Sequence, residues 1–350
     1  MDHRPPHPEF YGLPFTTESF HGMPYRLLGK SGLRVPAIGL GTWKMGHPET
    51  DDGARIGEAD ALKIFDRAVE VGVTFWDTAN RYNSSSGNSE RVIGVWMSQN
   101  PDQCRNVLVA TKMAGMMDGT TPNHCRLSRT NILESVYASL ERMQIEHIDL
   151  LYFHAFDSFT PVEESLTAVE DLVREDLVRY FAVSNFTVDQ LKLYQAMERQ
   201  LSCRCRMTAV QNQFDILNGE SQRNAGVLDF CAQTGVSFVA WSPLARGLLT
   251  DRYLDAARVG EGDRLHDEGE WASLSSNEKT MIKIRQLAAL AHEWGWKLNQ
   301  LALAYMLSLP GMGPTIASAS SVEQVVSNAA AATIALTGQQ KQKVRSVLEE

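Results

Sequence analysis

Val71-Gly72-Val73-Thr74-Phe75 and Thr234-Gly235-Val236-Ser237-Phe238 share one grammar. In each, a helical run ends on a glycine suited to the left-handed closing position, and a β-branched, aromatic segment begins at once. Working outward, Leu62, Phe65 and Val69 mark one apolar helical face upstream of the first stretch, and Leu133, Val136, Tyr137, Leu140 and Met143 mark another. Thr160-Pro161-Val162-Glu163 and Thr187-Val188-Asp189-Gln190 read as helix starts with capping boxes, the first with Pro opening the helix. Between such helices lie eight strand candidates: Ala37–Leu40, Val73–Trp76, Val107–Ala110, Asp149–Phe153, Arg179–Val183, Thr208–Asn212, Ser237–Trp241 and Thr315–Ser318. Eight strands alternating with helices, without a long compositional break, predict one α/β domain, a closed (β/α)8 TIM barrel. The competing doubly wound sheet needs Gly-x-Gly-x-x-Gly after its first strand, and Gly39-Leu40-Gly41-Thr42-Trp43 lacks the third glycine. The barrel is assigned to residues 24–350, preceded by an N-terminal arm, residues 1–23, laid on the surface. Long loops follow the third strand (113–127) and the seventh (248–276), where barrels carry lids and binding loops.

Thirty-three basic against forty-two acidic side chains leave a net charge of −9 on 350 residues. That balance argues against a nucleic-acid binder, which depends on a basic surface. At 43% apolar and 21% charged the chain is suited to a large core, and no apolar run reaches transmembrane length. The first 23 residues hold no apolar stretch of signal-peptide type. The five unevenly spaced cysteines, Cys104, Cys125, Cys203, Cys205 and Cys231, read as free thiols. The expected setting is the cytoplasm.

Polar residues collect where the strands end. Asp77 follows Phe75-Trp76, Lys112 follows Ala110-Thr111, and His154 follows Tyr152-Phe153. Ser184-Asn185, Gln211, Ser242-Pro243 and Ser318 with Ser320 stand at or near four further strand ends. Taken singly, each has a bland reading as a cap, turn former or solvated charge. Together on one rim, with Tyr82 close behind Asp77, they suggest chemistry. A buried ammonium needs a partner, and Asp77 can provide it. Beside a tyrosine, that ammonium stabilises the phenolate and lowers the phenol pKa, while an imidazole orients a substrate oxygen. The set suits proton transfer to a carbonyl oxygen as a hydride reaches carbon. One His, one Asp and one Lys make no metal-ligand set.

At these residues the sequence resembles the aldo-keto reductase superfamily, from about Tyr25 to Ala335. The matching motifs are Gly39-Leu40-Gly41-Thr42, Asp77-Thr78-Ala79-Asn80-Arg81-Tyr82, Ala110-Thr111-Lys112, Asp149 to His154, Val183-Ser184-Asn185-Phe186, Val210 to Phe214 and Trp241-Ser242-Pro243-Leu244-Ala245-Arg246-Gly247. Their order is more specific than any one of them. The Ser-Pro-Leu-Ala run is most similar to the branch holding bacterial glyceraldehyde-phosphate-type reductases and potassium-channel β-subunits. The resemblance implies an NAD(P)-dependent oxidoreductase interconverting a carbonyl (aldehyde, ketone or sugar) and its alcohol. Tyr82 is then the general acid/base, Lys112 and Asp77 its tuning pair, and His154 the substrate-orienting group. It further implies that Ser184, Asn185 and Gln211, with Asp77 nearby, hold the nicotinamide and that Phe214 stacks on its ring. Ser242, Pro243, Leu244, Ala245 and Gly247 approach the pyrophosphate, while Gly41, Thr42 and Trp43 line the site's floor.

The adenine end departs from the family pattern. Ser318, Ser320, Gln324 and Asn328 match it, but Ser327 stands where the family carries Glu, and Gln324 also fits a structural cap with Ser321. Arg252 and Arg264 are the candidates for a 2′-phosphate, making NADP the first choice and NAD the alternative. Ala155 and Phe156 follow His154 where many relatives have Arg and a polar residue. With Trp43, Phe156 and the methionines of residues 113–117, this predicts an apolar, adaptable substrate pocket for a small carbonyl or alcohol, a sugar or an aromatic ring. The alternative function is a cofactor-binding regulatory subunit with little turnover. No membrane or nucleic-acid partner is expected, and a homo-oligomer fits.

Overall fold

The structure, a computed structural model, describes residues 19–349. Eight parallel strands form the barrel: β1 (Ile38–Gly41), β2 (Phe75–Asp77), β3 (Leu108–Met113), β4 (Ile148–Phe153), β5 (Val178–Ser184), β6 (Met207–Asp215), β7 (Ser237–Trp241) and β8 (Met312–Ser318). Each pairs with the next, β5 pairs with β6, and β8 returns to β1, so the sheet closes. All eight strand candidates fall on these elements, with ends shifted by a few residues.

Period-two alternation sorts each strand into an inner and an outer face. Inside lie Phe75, Ala110, Leu150, Tyr152, Ala182, Ala209, Val239 and Ile316. Outside, residues such as Trp76, Val109, Leu151, Phe181, Val210 and Phe238 join the larger core under the helices. Trp76 is fully buried there, stacked on Phe65 at 4.4 Å and edge-on to Trp96 at 4.7 Å. Phe65 belongs to helix α1 (Glu58–Glu70), whose buried Ala61, Ile64, Phe65, Ala68 and Val69 repeat every three or four residues.

Gly72 and Gly235 take φ of 77° and 75°, the left-handed closures anticipated at both helix ends. At Gly72 a side chain is also shut out by packing, because a Cβ there would stand 2.2 Å from the Phe20 carbonyl oxygen. That oxygen belongs to a small antiparallel sheet, Ser19–Phe20, Met23–Leu27 and Arg34–Pro36. It delivers Leu28 and Val35 into the inner cluster, closing the end of the barrel opposite the strand C-termini. Within the stretch assigned to a surface arm, Ser19 and Phe20 are thus paired strand residues, and residues 1–18 lie outside the described ones.

Two local expectations change. The capping box at Thr187 forms with Gln190, but the one at Thr160 does not. Pro161 is the N-cap of helix α2 (Val162–Arg174), and the Thr160 hydroxyl donates to Asp157 instead. The long seventh loop contains two short helices, Arg264–Asp267 and Trp271–Ser276. No described helix is long and apolar enough to cross a membrane.

Candidate active site

Strand register and parity build the site. Gly41 pairs with both Asp77 and Ser318, Lys112 with Tyr152, Ser184 with Gln211, and Gln213 with Trp241. Asp77 lies two residues beyond Phe75, Lys112 two beyond Ala110, His154 two beyond Tyr152, and Gln211 two beyond Ala209. All four therefore continue the inner face to the C-terminal rim, where barrels hold their sites.

Lys112 is the hub. Its Nζ donates to Asp77 Oδ1 at 2.5 Å, to the Thr78 carbonyl at 2.8 Å and to the Tyr82 hydroxyl at 3.0 Å. Asp77 Oδ2 accepts from Gln211 Nε2 at 2.7 Å. The Tyr82 and His154 rings meet edge-on with centroids 6.0 Å apart. Tyr152 also lies near the ammonium, 5.7 Å from ring centroid to Nζ, but it is sealed from solvent. Of these two tyrosines, Tyr82 is the one that lines a cavity, about 340 Å³, shared with Trp43, Arg81 and His154.

Burial alone would lower the Lys112 pKa, but Asp77 and Tyr82 carry it above its ordinary value, so the amine is charged. Tyr82 behaves differently from the sequence expectation. Burial pushes its phenol above the usual value, and the attraction of Lys112 offsets this only in part. His154 is held down to about 3 by burial and by the charges of Lys112 and Arg81. It is a neutral imidazole at working pH. Its Nδ1 is buried with no hydrogen-bond partner among the described residues, which leaves Nε2 as the nitrogen free to meet a ligand.

Beside the tetrad, Asn185 Nδ2 donates to the His154 carbonyl at 2.9 Å and to Ser184 Oγ at 3.1 Å. Asn185 Oδ1 accepts from the indole of Trp241 at 3.3 Å. Ser184 Oγ donates to the Gln211 carbonyl at 2.8 Å. Ser184, Asn185 and Gln211 are thus gathered against His154 and Asp77. Beyond Trp241 the backbone turns left-handed at Ser242, Ala245 and Arg246, and Gly247 has φ 103°. Such turns point backbone N–H groups into anion-binding concavities. Pro243 is buried and Leu244 half-buried within this turn. Ser318 and Ser320 are exposed at the end of β8, just before the capped helix α3 (Val322–Ala330). Along this rim lie an aromatic face, amides, a left-handed turn and a helix N-terminus, the last two being features that suit an anion.

Several of the expected residues lie differently from the reading of the sequence. Phe214 lies on the outer face of β6, 8% exposed and 5.9 Å from Phe238, so it cannot stack on a ligand at the rim. Trp241, two residues beyond inward-facing Val239 and 36% exposed, offers the aromatic face instead. Parity along β7 is the signal that would have found it. Gly41 lies under Ser318, whose Oγ would stand 2.9 Å from a Cβ there. Thr42 is fully buried, tied to Ser89 Oγ at 2.7 Å and to the Asp77 carbonyl at 3.1 Å, and does not line the cavity beside Tyr82. Trp43 does line the site, flanked by Lys44 and by Arg264 at 4.8 Å.

The two arginines assigned to a 2′-phosphate are engaged within their own loop. Arg252 grips Asp263 through two 2.7 Å bonds, and Arg264 bonds Glu268 at 2.9 Å. Arg246 pairs with Glu270 and Glu268. Gln324 Oε1 accepts from the Ser320 backbone at 2.9 Å, the structural role its spacing from Ser321 allowed. Asn328 is 5% exposed and accepts from Asn299 at 2.9 Å, while Ser327 also bonds Asn299. Asn328 is thus buried and Ser327 half-buried, both held by Asn299.

The substrate side is more polar than the sequence implied. Phe156 packs edge-on against Phe186 at 5.5 Å and lines a second cavity of about 410 Å³. Met113 and Met117 are buried in the core, and Met116 is exposed outside both cavities. Arg81 and His154 are shared by both cavities, and Arg126 lines the second. In the sequence Arg81 is only one member of the Asp77-to-Tyr82 run, and no spacing singles it out.

The Aldo/keto reductase family model matches residues 37–349. The chain is 30% identical over 316 residues to L-glyceraldehyde 3-phosphate reductase of Escherichia coli O157:H7, covering 89% of this chain and 88% of that protein. It is 33% identical over 321 residues to the uncharacterized oxidoreductase YrpG of Bacillus subtilis (strain 168), covering 90% and 92%. Aldo-keto reductase AMT2 of Alternaria alternata is 29% identical over 307 residues, covering 81% and 80%. With the closed barrel, this match across most of the chain places the protein among the oxidoreductases: it belongs to the aldo/keto reductase family.

Proposed function

We propose that the protein interconverts a small carbonyl compound and its alcohol, with Tyr82 as the proton donor and acceptor. The observation that carries this is the Lys112 ammonium, bonded at once to Asp77 Oδ1 and to the Tyr82 hydroxyl beside a neutral His154. A nicotinamide dinucleotide, NADP or NAD, supplies or accepts the hydride at the carbonyl carbon when bound. Trp241, Asn185, Ser184 and the turn from Ser242 to Gly247 would hold it, with Ser318 and Ser320 toward its far end.

The chain's own groups handle the proton. The substrate oxygen sits between the Tyr82 hydroxyl and His154 Nε2. Tyr82 transfers its proton to that oxygen as negative charge develops, and the charged Lys112 stabilises the phenolate left behind. Asp77 and the Thr78 carbonyl fix the ammonium in place, so little reorganisation accompanies the transfer. His154, being neutral, donates one hydrogen bond to the oxygen and orients it without competing for the proton.

Tyr82→Phe tests the assignment. Proton transfer by a positioned group is worth about 10²–10⁴-fold, so turnover of an aldehyde, ketone and sugar panel should fall by that much. Fluorescence titration with NADPH and NADH in parallel should show cofactor affinity retained. Loss of cofactor binding in Tyr82→Phe, or undiminished turnover, would remove Tyr82 from the role. Slow turnover of every carbonyl by the unmutated protein, with tight cofactor binding, would favour a regulatory subunit.

A further inference from the structure

Arg81 immediately precedes Tyr82, and its exposed side chain runs over Gly115. A Cβ added at Gly115 would fall 2.7 Å from Arg81 Cδ and 2.9 Å from Nε and Nη1, so the arginine uses the space that the missing side chain leaves in the third loop. From there it lines both cavities together with His154. Among the described residues no ion pair or side-chain hydrogen bond engages it. The other arginine of the second cavity is different. Arg126 lies 3.4 Å from Asp157 and covers the Phe159 ring at 3.8 Å. Asp157, the carboxylate on this wall, also accepts from the Leu127 and Phe159 amides and the Thr160 hydroxyl, so its charge is already answered. In a chain of net charge −9, an unneutralised guanidinium beside the imidazole that meets the substrate is a specific feature of the site.

We infer that Arg81 is a specificity-determining residue and that the carbonyl substrate carries an oxyanion, a carboxylate or a phosphate. That group docks on Arg81 while the carbonyl oxygen lies between Tyr82 and His154. A planar guanidinium presents paired N–H donors that match either oxyanion. The cation missing after His154, where Ala155 and Phe156 stand, is supplied from the second strand's loop. The inference rests on the carbonyl-reduction reading for its substrate, but the anion site itself can be tested without turnover.

The kinetic test compares matched pairs on the full chain: 4-carboxybenzaldehyde against 4-methylbenzaldehyde, and glyceraldehyde 3-phosphate against glyceraldehyde. The readout is the ratio of kcat/KM for the charged member to that for the neutral one. Arg81→Met should lower this ratio about ten- to hundredfold, as expected for one lost charge-assisted contact, mainly through KM, and Arg81→Lys should restore part of it. The pair that responds more strongly identifies the oxyanion. Gly115→Ala, which displaces the flexible arginine tip, should act in the same direction and covers the case in which Arg81→Met folds poorly. Ratios unaltered in both pairs overturn the inference. If none of the four carbonyls is turned over, the reduction reading fails, and calorimetric titration with benzoate and with inorganic phosphate decides the anion site. Affinity for either ion that disappears in Arg81→Met upholds it, and affinity that is absent or independent of Arg81 overturns it.

Discussion

Lys112 Nζ and Asp77 Oδ1 stand 2.5 Å apart with side chains only 1% and 3% exposed. Two charges so placed have lost their water, and each depends on the other together with Gln211 and the Thr78 carbonyl. Breaking such a pair by removing one partner costs about 3–5 kcal/mol, whereas replacing both by apolar groups costs much less. Lys112→Met and Asp77→Leu should each lower unfolding free energy by that order in urea. The double variant should recover part of it, giving a favourable coupling in the cycle. All three should lose turnover. Additive losses of stability would show that the pair is not energetically coupled.

The direction of the Tyr82 shift sets a pH dependence. Burial holds the phenol protonated beyond its ordinary pKa near ~10. Carbonyl reduction needs the protonated form, so its kcat/KM should be level through neutral pH and fall only under strongly alkaline conditions. Alcohol oxidation needs the phenolate and should rise with pH across the same range. Removing the ammonium with Lys112→Met takes away the pull on the phenol, so residual oxidation should begin its rise at higher pH. A reduction limb that falls near neutral pH would mean another group carries the proton.

The helix-stop glycines Gly72 and Gly235 made the barrel legible, because each dictates a local turn that no distant contact overrides. The gathering of Asp77, Lys112 and His154 was legible for a related reason: a strand end fixes where the next side chain points, while Tyr82, beyond its strand, was read only as lying close behind Asp77. Phe214 adjoins a rim motif in sequence, but strand parity decides its side: counted from Ala209, residue 214 falls on the outer face. The pairing of Arg252 with Asp263 and of Arg264 with Glu268 was not legible, because it lies within a loop whose folding no periodicity reports. Arg81 stood in plain view, but its freedom from partners and its seat on Gly115 are facts of tertiary packing.

Trp241 and Phe214 offer a direct contrast. The exposed indole at the rim is positioned to stack on a planar ligand, and the phenyl ring is packed under helices. Trp241→Ala should weaken nicotinamide dinucleotide binding about tenfold or more, taking aromatic stacking at ~1–3 kcal/mol, with little effect on unfolding. Phe214→Ala should lower unfolding free energy by about 3–5 kcal/mol while cofactor affinity stays within threefold. Fluorescence titration and urea denaturation on both variants separate the roles, and the opposite assignment of effects would return Phe214 to the site.

His154 should leave a mark on acid stability that is separate from catalysis. Its folded-state pKa is lowered to about 3, below an unfolded value near ~6.5. Between those values the unfolded chain takes up a proton that the folded chain refuses. The contribution is therefore fully present above the unfolded pKa and is lost progressively as pH falls toward the folded one, at about 1.4 kcal/mol per unit at most. His154→Gln keeps a neutral, polar side chain at every pH and removes this linkage, while the carboxylates and other histidines contribute equally to both proteins. The difference in unfolding free energy between the unmutated protein and His154→Gln should then shrink, and move in favour of the variant, from pH 6.5 down to pH 4.5. Urea denaturation at half-unit steps measures it. Parallel curves would mean that His154 takes up a proton in the folded state, and its role as a neutral hydrogen-bond donor to the substrate oxygen would fall with them.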